Sequence, residues 1–259
     1  MAESYRQITC ALAQKIKLVM TDVDGTITSG DGSFTPEVVA SIHSLEKQGI
    51  TVGLVSGREI NRLAQFAEQL NISGPLVAEN GAVACLKKDG APVDLGYSRK
   101  PALKAMEKLK GLFPDAIEVG ENWNKSRMID LLFRVHGVTA GELRKHLADA
   151  DILDSGYVLH LVQKGVSKGG TLLRIIKMLA NACLSPEEVM VFGDAPTDLS
   201  LFQSFPQSVL VINPDIPVAQ GMMLREGARY ISDACCGEGF AQVIAHLLSA
   251  RNGTGSAQV

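Results

Sequence analysis

The chain has little of several features that would mark a specialised protein. Its 259 residues include five cysteines, an odd number without a Cys-x-x-Cys spacing, and its net charge is only −3. It has no lysine or arginine run, so we expect no nucleic-acid partner. No apolar stretch approaches the roughly 20 residues that span a bilayer. The N-terminal residues have neither a signal-peptide nor an anchor pattern. We therefore expect no membrane partner either.

The cysteines indicate a reducing compartment. They are Cys10, Cys85, Cys183, Cys235 and Cys236. The adjacent pair at 235 and 236 cannot readily form a disulfide with each other, and a zinc site would need two further ligands nearby. We therefore predict free thiols and a cytoplasmic location. The composition, 46% hydrophobic and 20% charged, is that of an ordinary globular protein.

Strand and helix patterns alternate at both ends of the chain. Continuous apolar segments predict buried strands at 16–21, 50–55, 76–78, 189–192 and 208–212. Amphipathic or capped segments predict helices at 35–48, 58–70, 168–181, 196–205 and 239–249. Buried strands that alternate with helices form a parallel sheet covered on both faces. The predicted fold is α/β, with a Rossmann-like doubly wound parallel sheet as its core.

The middle of the chain has more alternating strand patterns and more frequent turns. It predicts helices at 100–113 and 139–150 and strands at 128–135 and 157–163. An insert of about 80 residues has the size of a small α+β domain. The expected units are an N-terminal extension at 1–15, a core from 16–81 and 165–250, the inserted domain at 82–164, and a flexible tail at 251–259.

The segment Asp22-Val23-Asp24-Gly25-Thr26 follows the first predicted strand. Alternation along the strand brings Asp22 and Asp24 to the same side, and Gly25 lets the backbone approach a phosphate. Two carboxylates in this arrangement suit phosphoryl transfer through an aspartyl-phosphate, although a plain strand-to-turn junction gives the same pattern. A calcium loop is not favoured, because the next oxygen ligand, Asp31, lies too far along the chain.

Further polar clusters follow predicted strands or open helices, where the loops of an open parallel sheet converge. Ser56 and Gly57 suit an anion at a helix N-terminus or a simple helix cap. Lys168 suits charge neutralisation at a phosphate or a solvated position. Asp194 and Asp198 suit a hard divalent cation or a turn.

Together, Asp-x-Asp-Gly-Thr, Ser-Gly-Arg, a single lysine and Gly-Asp-x-x-x-Asp resemble the haloacid dehalogenase-like (HAD) hydrolase superfamily, in its phosphatase branch. The insert between Ser56 and Lys168 is similar to the α/β cap domain of Cof-type and sucrose-phosphate phosphatases. Glu79-Asn80-Gly81 and the short cap with Trp123 most resemble archaeal-type phosphoglycolate phosphatases. The resemblance covers nearly the whole chain after residue 15.

This resemblance implies a phosphatase whose cofactor is Mg²⁺. It makes Asp22 the nucleophile, and Asp24 the group that protonates the leaving oxygen and then activates water. An alkoxide leaves poorly without a proton, so Asp24 favours a phosphate ester over a halide. The implied phosphate ligands are Ser56, Gly57 and Lys168. The implied metal ligands are Asp22, Asp24 through its backbone carbonyl, Asp194 and Asp198.

The last motif departs from the family pattern, because Ala195 and Thr197 stand where serine and asparagine are common. Thr197 is able to supply the missing hydrogen bond near the metal, whereas Ala195 is not. Asn213, which precedes Pro214, is either a residue at the edge of the site or a turn former.

In the cap, the candidate substrate contacts are Trp123, Lys125 and Arg127. A tryptophan also serves packing alone, whereas either cation is able to pair with a substrate carboxylate. His160 alternates with two leucines, and we expect it on a solvated face. The expected partner is a small phosphorylated metabolite, with 2-phosphoglycolate favoured. A sugar-phosphate phosphatase, a phosphomutase and a non-catalytic binding protein are the alternatives, and the oligomeric state stays open.

Overall fold

The computed structural model of the protein describes residues 1–156, 158–179 and 184–253. Its strands are, in chain order, β1 (Glu3–Ser4), β2 (Leu18–Thr21), β3 (Thr51–Val55), β4 (Leu76–Ala78), β5 (Val83–Cys85), β6 (Ile117–Glu118), β7 (Leu131–Val135), β8 (Ala150–Asp154), β9 (Leu159–Gln163), β10 (Val189–Gly193), β11 (Gln207–Ile212) and β12 (Tyr230–Cys235). Its α-helices are α1 (Cys10–Lys15), α2 (Pro36–Lys47), α3 (Ile60–Gln69), α4 (Lys100–Leu112), α5 (Ala140–Arg144), α6 (Lys168–Met178), α7 (Leu199–Ser204), α8 (Val218–Gly227) and α9 (Cys236–Arg251).

The larger of two sheets has eight strands in the order β1-β12-β11-β10-β2-β3-β4-β5. Neighbouring strands are parallel except for β4 and β5, which form an antiparallel pair at one edge. The predicted α/β fold with a doubly wound, mostly parallel sheet is therefore confirmed.

Both faces of this sheet are buried, which explains why three of the four residues of β2 are apolar. Val19 packs in one layer with side chains of α2, α3 and α9, such as Ile42. Leu18 and Met20 point the other way, into a layer with side chains of α6, α7 and α8, such as Ile175. Side chains of a strand alternate between the two faces, so a central strand covered by helices on both sides has no polar face.

Residues 1–15 were predicted as an extension but are part of the core. β1 pairs with β12 at the edge of the large sheet, and Tyr5, Ile8 and Ala13 are buried. At the other end, Arg251 belongs to α9 and its guanidinium donates to the carbonyl of Ala13. The predicted flexible tail at 251–259 is therefore wrong at its start, and residues 254–259 lie outside the described residues.

Several predicted element bounds also differ from the structure. The helix predicted at 139–150 ends at Arg144, after which the chain turns and enters β8 at Ala150. The predicted domain boundary at residue 82 falls too early, because β5 turns back and pairs with β4 inside the core sheet. Two further predictions lie partly outside the described residues, namely Tyr157 at the start of a strand and residues 180–183 after α6, including Cys183.

The insert forms a second sheet of four strands, in the order β6-β7-β9-β8, with antiparallel pairing. Its own core includes Phe133 and Leu161 from the sheet and Leu109 from α4. We refer to this insert as the cap. In the described part of the chain, no helix is both long and apolar enough to cross a membrane.

A buried carboxylate joins the cap to the core. Glu79, directly after β4, accepts hydrogen bonds from the backbone N–H groups of Met128, Ile129 and Asp130, at 2.8 to 2.9 Å. Burial, together with the nearby Asp130, raises the pKa of Glu79, whereas the three N–H groups lower it. These bonds also explain why the strand predicted from Met128 begins only at Leu131: the first three N–H groups bind Glu79.

The start of α6 packs against α7 so closely that only glycine fits at position 169. A Cβ atom there would overlap the backbone carbonyl oxygen of Ser200 and lie 2.6 Å from Ser204 Oγ. Gly111 in α4 is also helical, but a Cβ atom there would meet nothing within 4 Å.

We predict that Gly169→Ala lowers the free energy of unfolding by about 1–3 kcal/mol, because α6 and α7 must move apart. The matched variant Gly111→Ala should leave stability unchanged or raise it by at most about 1 kcal/mol. Thermal and denaturant unfolding of both variants measures this difference. Equal stabilities would contradict the close α6–α7 packing.

Candidate active site

A cavity of about 550 Å³ opens at the carboxyl ends of the central strands. Asp22 follows β2, Ser56 follows β3 and Asp194 follows β10, so the parallel sheet brings residues far apart in sequence to one edge. The predicted core residues that line this cavity are Asp22, Asp24, Ser56, Gly57, Lys168 and Asp194.

Lys168 connects two carboxylates at the base of the cavity. Its Nζ lies 2.7 Å from Asp22 Oδ1 and 2.6 Å from Asp198 Oδ1, and all three side chains are buried. Burial by itself lowers the pKa of Lys168, but Asp198 and Asp22 together raise it above its ordinary value. The lysine is therefore a fixed positive charge beside the proposed nucleophile.

Asp198 has no oxygen directed into the cavity. Its Oδ1 binds Lys168, and its Oδ2 accepts the backbone N–H groups of Asp194 and Ala195, each at 3.0 Å. Asp198 is absent from the described lining of the cavity. Its contacts thus orient Lys168 and the loop after β10, and the metal contact that the family resemblance implied for Asp198 stays a prediction.

Asp194 is held by two residues from other loops. Thr26 Oγ1 donates to Oδ1, and Asn213 Nδ2 donates to Oδ2 at 2.7 Å. Asn213 thus belongs to the edge of the site, and it also accepts the N–H of Asp215. Within the described residues, Thr197 makes no hydrogen bond to Asp194; Thr26 supplies the contact that the sequence assigned to Thr197.

The buried charges at this site do not balance. Oxygen atoms of Asp22, Asp194 and Asp198 lie within 4.8 Å of one another. Burial raises the pKa of Asp22 well above its ordinary value and, together with Asp198, raises the pKa of Asp194 to about 7. Three carboxylates and one ammonium group leave two negative charges when all are ionised. The donor set, oxygen atoms of buried carboxylates, fits a hard divalent cation.

The side chain of Asp24 is not part of this carboxylate group. Both of its oxygens accept hydrogen bonds from Arg58, at 2.7 Å from Nε and 2.6 Å from Nη2. The side chains of Arg58 and Asp24 are 41% and 38% exposed, so this ion pair lies at the mouth of the cavity. The sequence motif Ser-Gly-Arg contained the arginine, but nothing in its spacing indicated this partner.

Ser56 and Gly57 form a tight turn at the cavity. Ser56 Oγ accepts the N–H of Arg58 at 3.2 Å. A Cβ atom on Gly57 would lie 3.1 Å from both Asn80 Nδ2 and His160 Cε1. A larger residue at position 57 would therefore press against two side chains of the cavity wall.

Of the three predicted cap contacts, only Arg127 lines the cavity. Its Nη1 donates to the carbonyl oxygen of Gly57 at 2.9 Å and to both oxygens of Asp130. Trp123 and Lys125 are not among the described lining residues. The ring of Trp123 instead packs under Arg134, whose guanidinium lies 5.0 Å from the ring centre.

His160 was predicted on a solvated face and is buried. Its Nδ1 lies 2.7 Å from Asp130 Oδ2, and the ring lines the cavity. Burial lowers the pKa of His160, while Asp130 opposes the shift. The prediction failed because the core covers the face of the cap sheet that an isolated two-layer insert would expose to water.

Asn80 is a cavity residue to which the sequence gave no role. It is buried, with a left-handed backbone (φ 56°), and neither its Oδ1 nor its Nδ2 has a hydrogen-bond partner. Glu79-Asn80-Gly81 stood out only as part of the family resemblance. A buried amide without a partner costs free energy, which makes it a candidate contact for a bound molecule.

Known proteins resemble this chain over most of its length. A family model for haloacid dehalogenase-like hydrolases matches residues 19–122 and 121–220. A phosphoglycolate phosphatase of Methanothermobacter thermautotrophicus is 28% identical over 235 residues, which cover 90% of this chain and 99% of that protein. One of Metallosphaera sedula is 31% identical over 209 residues, covering 77% of this chain and 87% of the relative.

Solved structures share the fold. The Thermoplasma acidophilum 0175 protein superposes with a TM-score of 0.76 at 26% identity, covering 90% of this chain and 98% of its own. A sugar phosphatase of HAD subclass IIB has a TM-score of 0.68 at 17% identity, with coverage of 89% and 98%. The family model matches most of the chain, and the two phosphoglycolate phosphatases align with it over 87% or more of their own length. The chain therefore belongs to the haloacid dehalogenase-like hydrolases and is a phosphatase.

Proposed function

We propose that the protein is a Mg²⁺-dependent phosphatase that hydrolyses a small phosphate monoester through an aspartyl-phosphate on Asp22, with 2-phosphoglycolate as the favoured substrate. The observation that carries this proposal is the contact of Lys168 with Asp22, beside Asp194 and inside the cavity. The substrate follows from the relatives, which are phosphoglycolate phosphatases.

In the proposed reaction, an oxygen of Asp22 attacks phosphorus and the bond from phosphorus to the alcohol oxygen breaks. Asp24 gives its proton to that oxygen, so a neutral alcohol leaves. Asp24 then takes a proton from water, the water oxygen attacks phosphorus, and the Asp22 carboxylate is restored as inorganic phosphate leaves. Ser56, the N–H of Gly57 and Lys168 bind the phosphoryl oxygens throughout.

Asp22, Asp194 and the backbone carbonyl of Asp24 are the proposed Mg²⁺ ligands. When bound, the cation offsets the repulsion between the anionic nucleophile and the anionic substrate. The contacts of Asp198 with Lys168 and with the N–H groups of residues 194 and 195 favour an orienting role for this side chain.

A sugar phosphate is the second candidate substrate. The cavity of about 550 Å³ is large enough for a sugar phosphate as well as for phosphoglycolate. In either case the proposed partner is a small phosphorylated metabolite. The proposed location is the cytoplasm, where thiols such as the free Cys10 and Cys85 stay reduced.

We predict that purified protein with Mg²⁺ releases inorganic phosphate from 2-phosphoglycolate with a kcat/KM at least about tenfold above that for hexose phosphates and sucrose phosphate. A panel of metabolite esters, read by phosphate release, measures this ratio. A preference for a sugar phosphate would replace the favoured substrate. An isomerised phosphosugar without phosphate release would indicate a mutase, and no turnover at all would reject the proposal.

Asp22→Asn should reduce turnover by about 1,000-fold or more, because an amide oxygen is not a nucleophile. The fold should persist, since asparagine keeps the shape and still accepts a hydrogen bond from Lys168. Phosphate release and thermal unfolding are measured on the same preparation, and Tm should be unchanged or higher because a buried carboxylate is removed. Substantial remaining activity in a folded variant would reject the aspartyl-phosphate.

Asn213→Ala should raise the Mg²⁺ concentration for half-maximal effect by about 10- to 100-fold, because Asp194 loses a bond that orients it. The rise in Tm with Mg²⁺ concentration reports this affinity without reference to activity. The wild-type protein is the control. An unchanged Mg²⁺ titration would show that Asp194 is not a ligand of the cation or does not need Asn213.

A further inference from the structure

The ion pair between Arg58 and Asp24 occupies the group that the proposed reaction needs. Arg58 Nε and Nη2 bind one oxygen each of the Asp24 carboxylate. A carboxylate with both oxygens bound in this way has none directed at a leaving group. Asp24 must therefore leave Arg58, at least in part, and take up a proton from the solvent before it can protonate the substrate oxygen.

The position of the pair makes such an exchange feasible. Both side chains are more than a third exposed and both line the cavity. Water screens exposed pairs, so their separation costs little free energy compared with that of a buried pair. The guanidinium also lies over the ring of Phe66, 5.5 Å from its centre, which keeps Arg58 at the cavity mouth when Asp24 departs.

The other cations of the cavity are less available. Among the described residues, Arg58, Arg127 and Lys168 are the cationic side chains that line it. Arg127 is buried and bound to Asp130 and Gly57, and Lys168 is buried between Asp22 and Asp198. Moving either cation away takes a charged partner from a buried carboxylate, Asp130 or Asp22, which is expensive. Arg58 is thus the cation that can change partners.

We propose that Arg58 is the binding site for a carboxylate carried by the substrate, and that this carboxylate replaces Asp24 on the guanidinium and so releases Asp24 to the leaving oxygen. The inference rests on the proposed function and deepens it. The substrate class is a phosphate monoester with a carboxylate close to the ester oxygen. The planar fork of an arginine matches the new carboxylate as it matched the old one.

The exchange links substrate recognition to catalysis. A substrate with a carboxylate gives Arg58 a new partner at the moment when the old one leaves. A phosphate ester of the same size without the carboxylate also separates Arg58 from Asp24, but it leaves Arg58 with water alone. The carboxylate should therefore improve both binding and turnover, whereas a simple charge contact would improve binding only.

The test compares 2-phosphoglycolate with 2-hydroxyethyl phosphate, in which a CH2OH group replaces the carboxylate. Wild-type protein should prefer 2-phosphoglycolate by about 10- to 100-fold in kcat/KM. Arg58→Gln should reduce this ratio by at least about tenfold, and its kcat for 2-hydroxyethyl phosphate should rise, because Asp24 no longer has to leave a guanidinium. Arg58→Lys, which keeps the charge but lacks the fork, should be intermediate.

Arg62→Gln is the matched control. Arg62 lies four residues further along, in the first turn of α3. Its guanidinium is also over the ring of Phe66 and donates to Gln65, but it does not line the described cavity. This variant should keep the wild-type substrate ratio. The second readout is binding of both esters in the presence of Mg²⁺, measured by calorimetry. The proteins are Asp22→Asn and Asp22→Asn/Arg58→Gln, in which turnover is suppressed.

The outcomes separate the inference from the proposed function. If the wild type hydrolyses esters without a carboxylate preference, or if Arg58→Gln lowers both substrates equally, the inference is wrong and the phosphatase proposal stands. If the wild type hydrolyses neither ester nor any other in the panel, the proposed function is wrong. Calorimetric binding tests the carboxylate site separately: retention of the carboxylate preference with Arg58→Gln overturns the inference, and its loss supports the site on Arg58 but not the release of Asp24.

Discussion

The buried contact of Lys168 with Asp22 and Asp198 is the interaction on which the rest of the site depends. An ammonium group removed from water is stable only with anionic partners in contact, and each carboxylate would be costly without the lysine. The three residues come from the loop after β2, the start of α6 and the turn before α7. Their contact therefore fixes three elements relative to one another. Close packing enforces the same arrangement, since a Cβ atom on Gly193 would overlap the side chain of Asp198.

Much of this fold was readable from the sequence because its central elements carry strong local signals. β2, β3 and β10 consist mainly of apolar residues, and Thr35 caps α2 by accepting the N–H of Val38 with its side chain. The elements that were missed have weak signals. β1 has two residues, and β12 is only partly buried along its length. α8 leaves Val218 and Met222 exposed, so its residues show no clear apolar face. Such elements form because the core offers an edge or a surface for them.

In the site, too, some features could be predicted from local sequence and others could not. Each core motif could be located because a few adjacent residues carry its chemistry and the topology brings the strand ends together. The side-chain contacts between different motifs could not be predicted, because the partners are far apart in sequence. Arg58 and Asp24 are 34 positions apart, and His160 and Asp130 are 30 apart. His160 was misplaced because its pattern describes a strand with one solvated face. That pattern is correct for the cap by itself, but the core takes the place of solvent.

The contacts between cap and core hold the cap against the turn at Ser56 and Gly57, the proposed phosphate ligands. Arg127 binds the carbonyl oxygen of Gly57, and the next three residues donate their N–H groups to Glu79. Glu79 itself receives no side-chain cation in these contacts, so its buried charge is stabilised by backbone dipoles of the cap. Because the cap donors and the Gly57 contact lie on one short segment, the cap cannot lift away without exposing Glu79 and releasing Gly57 together. Apolar side chains of the cap reinforce these bonds, because Val162 belongs to the buried core cluster and Ile129 packs against it. The junction therefore holds the cap over the cavity by hydrogen bonds and apolar packing together, and each contact acts on the same few residues that follow β3 and β4.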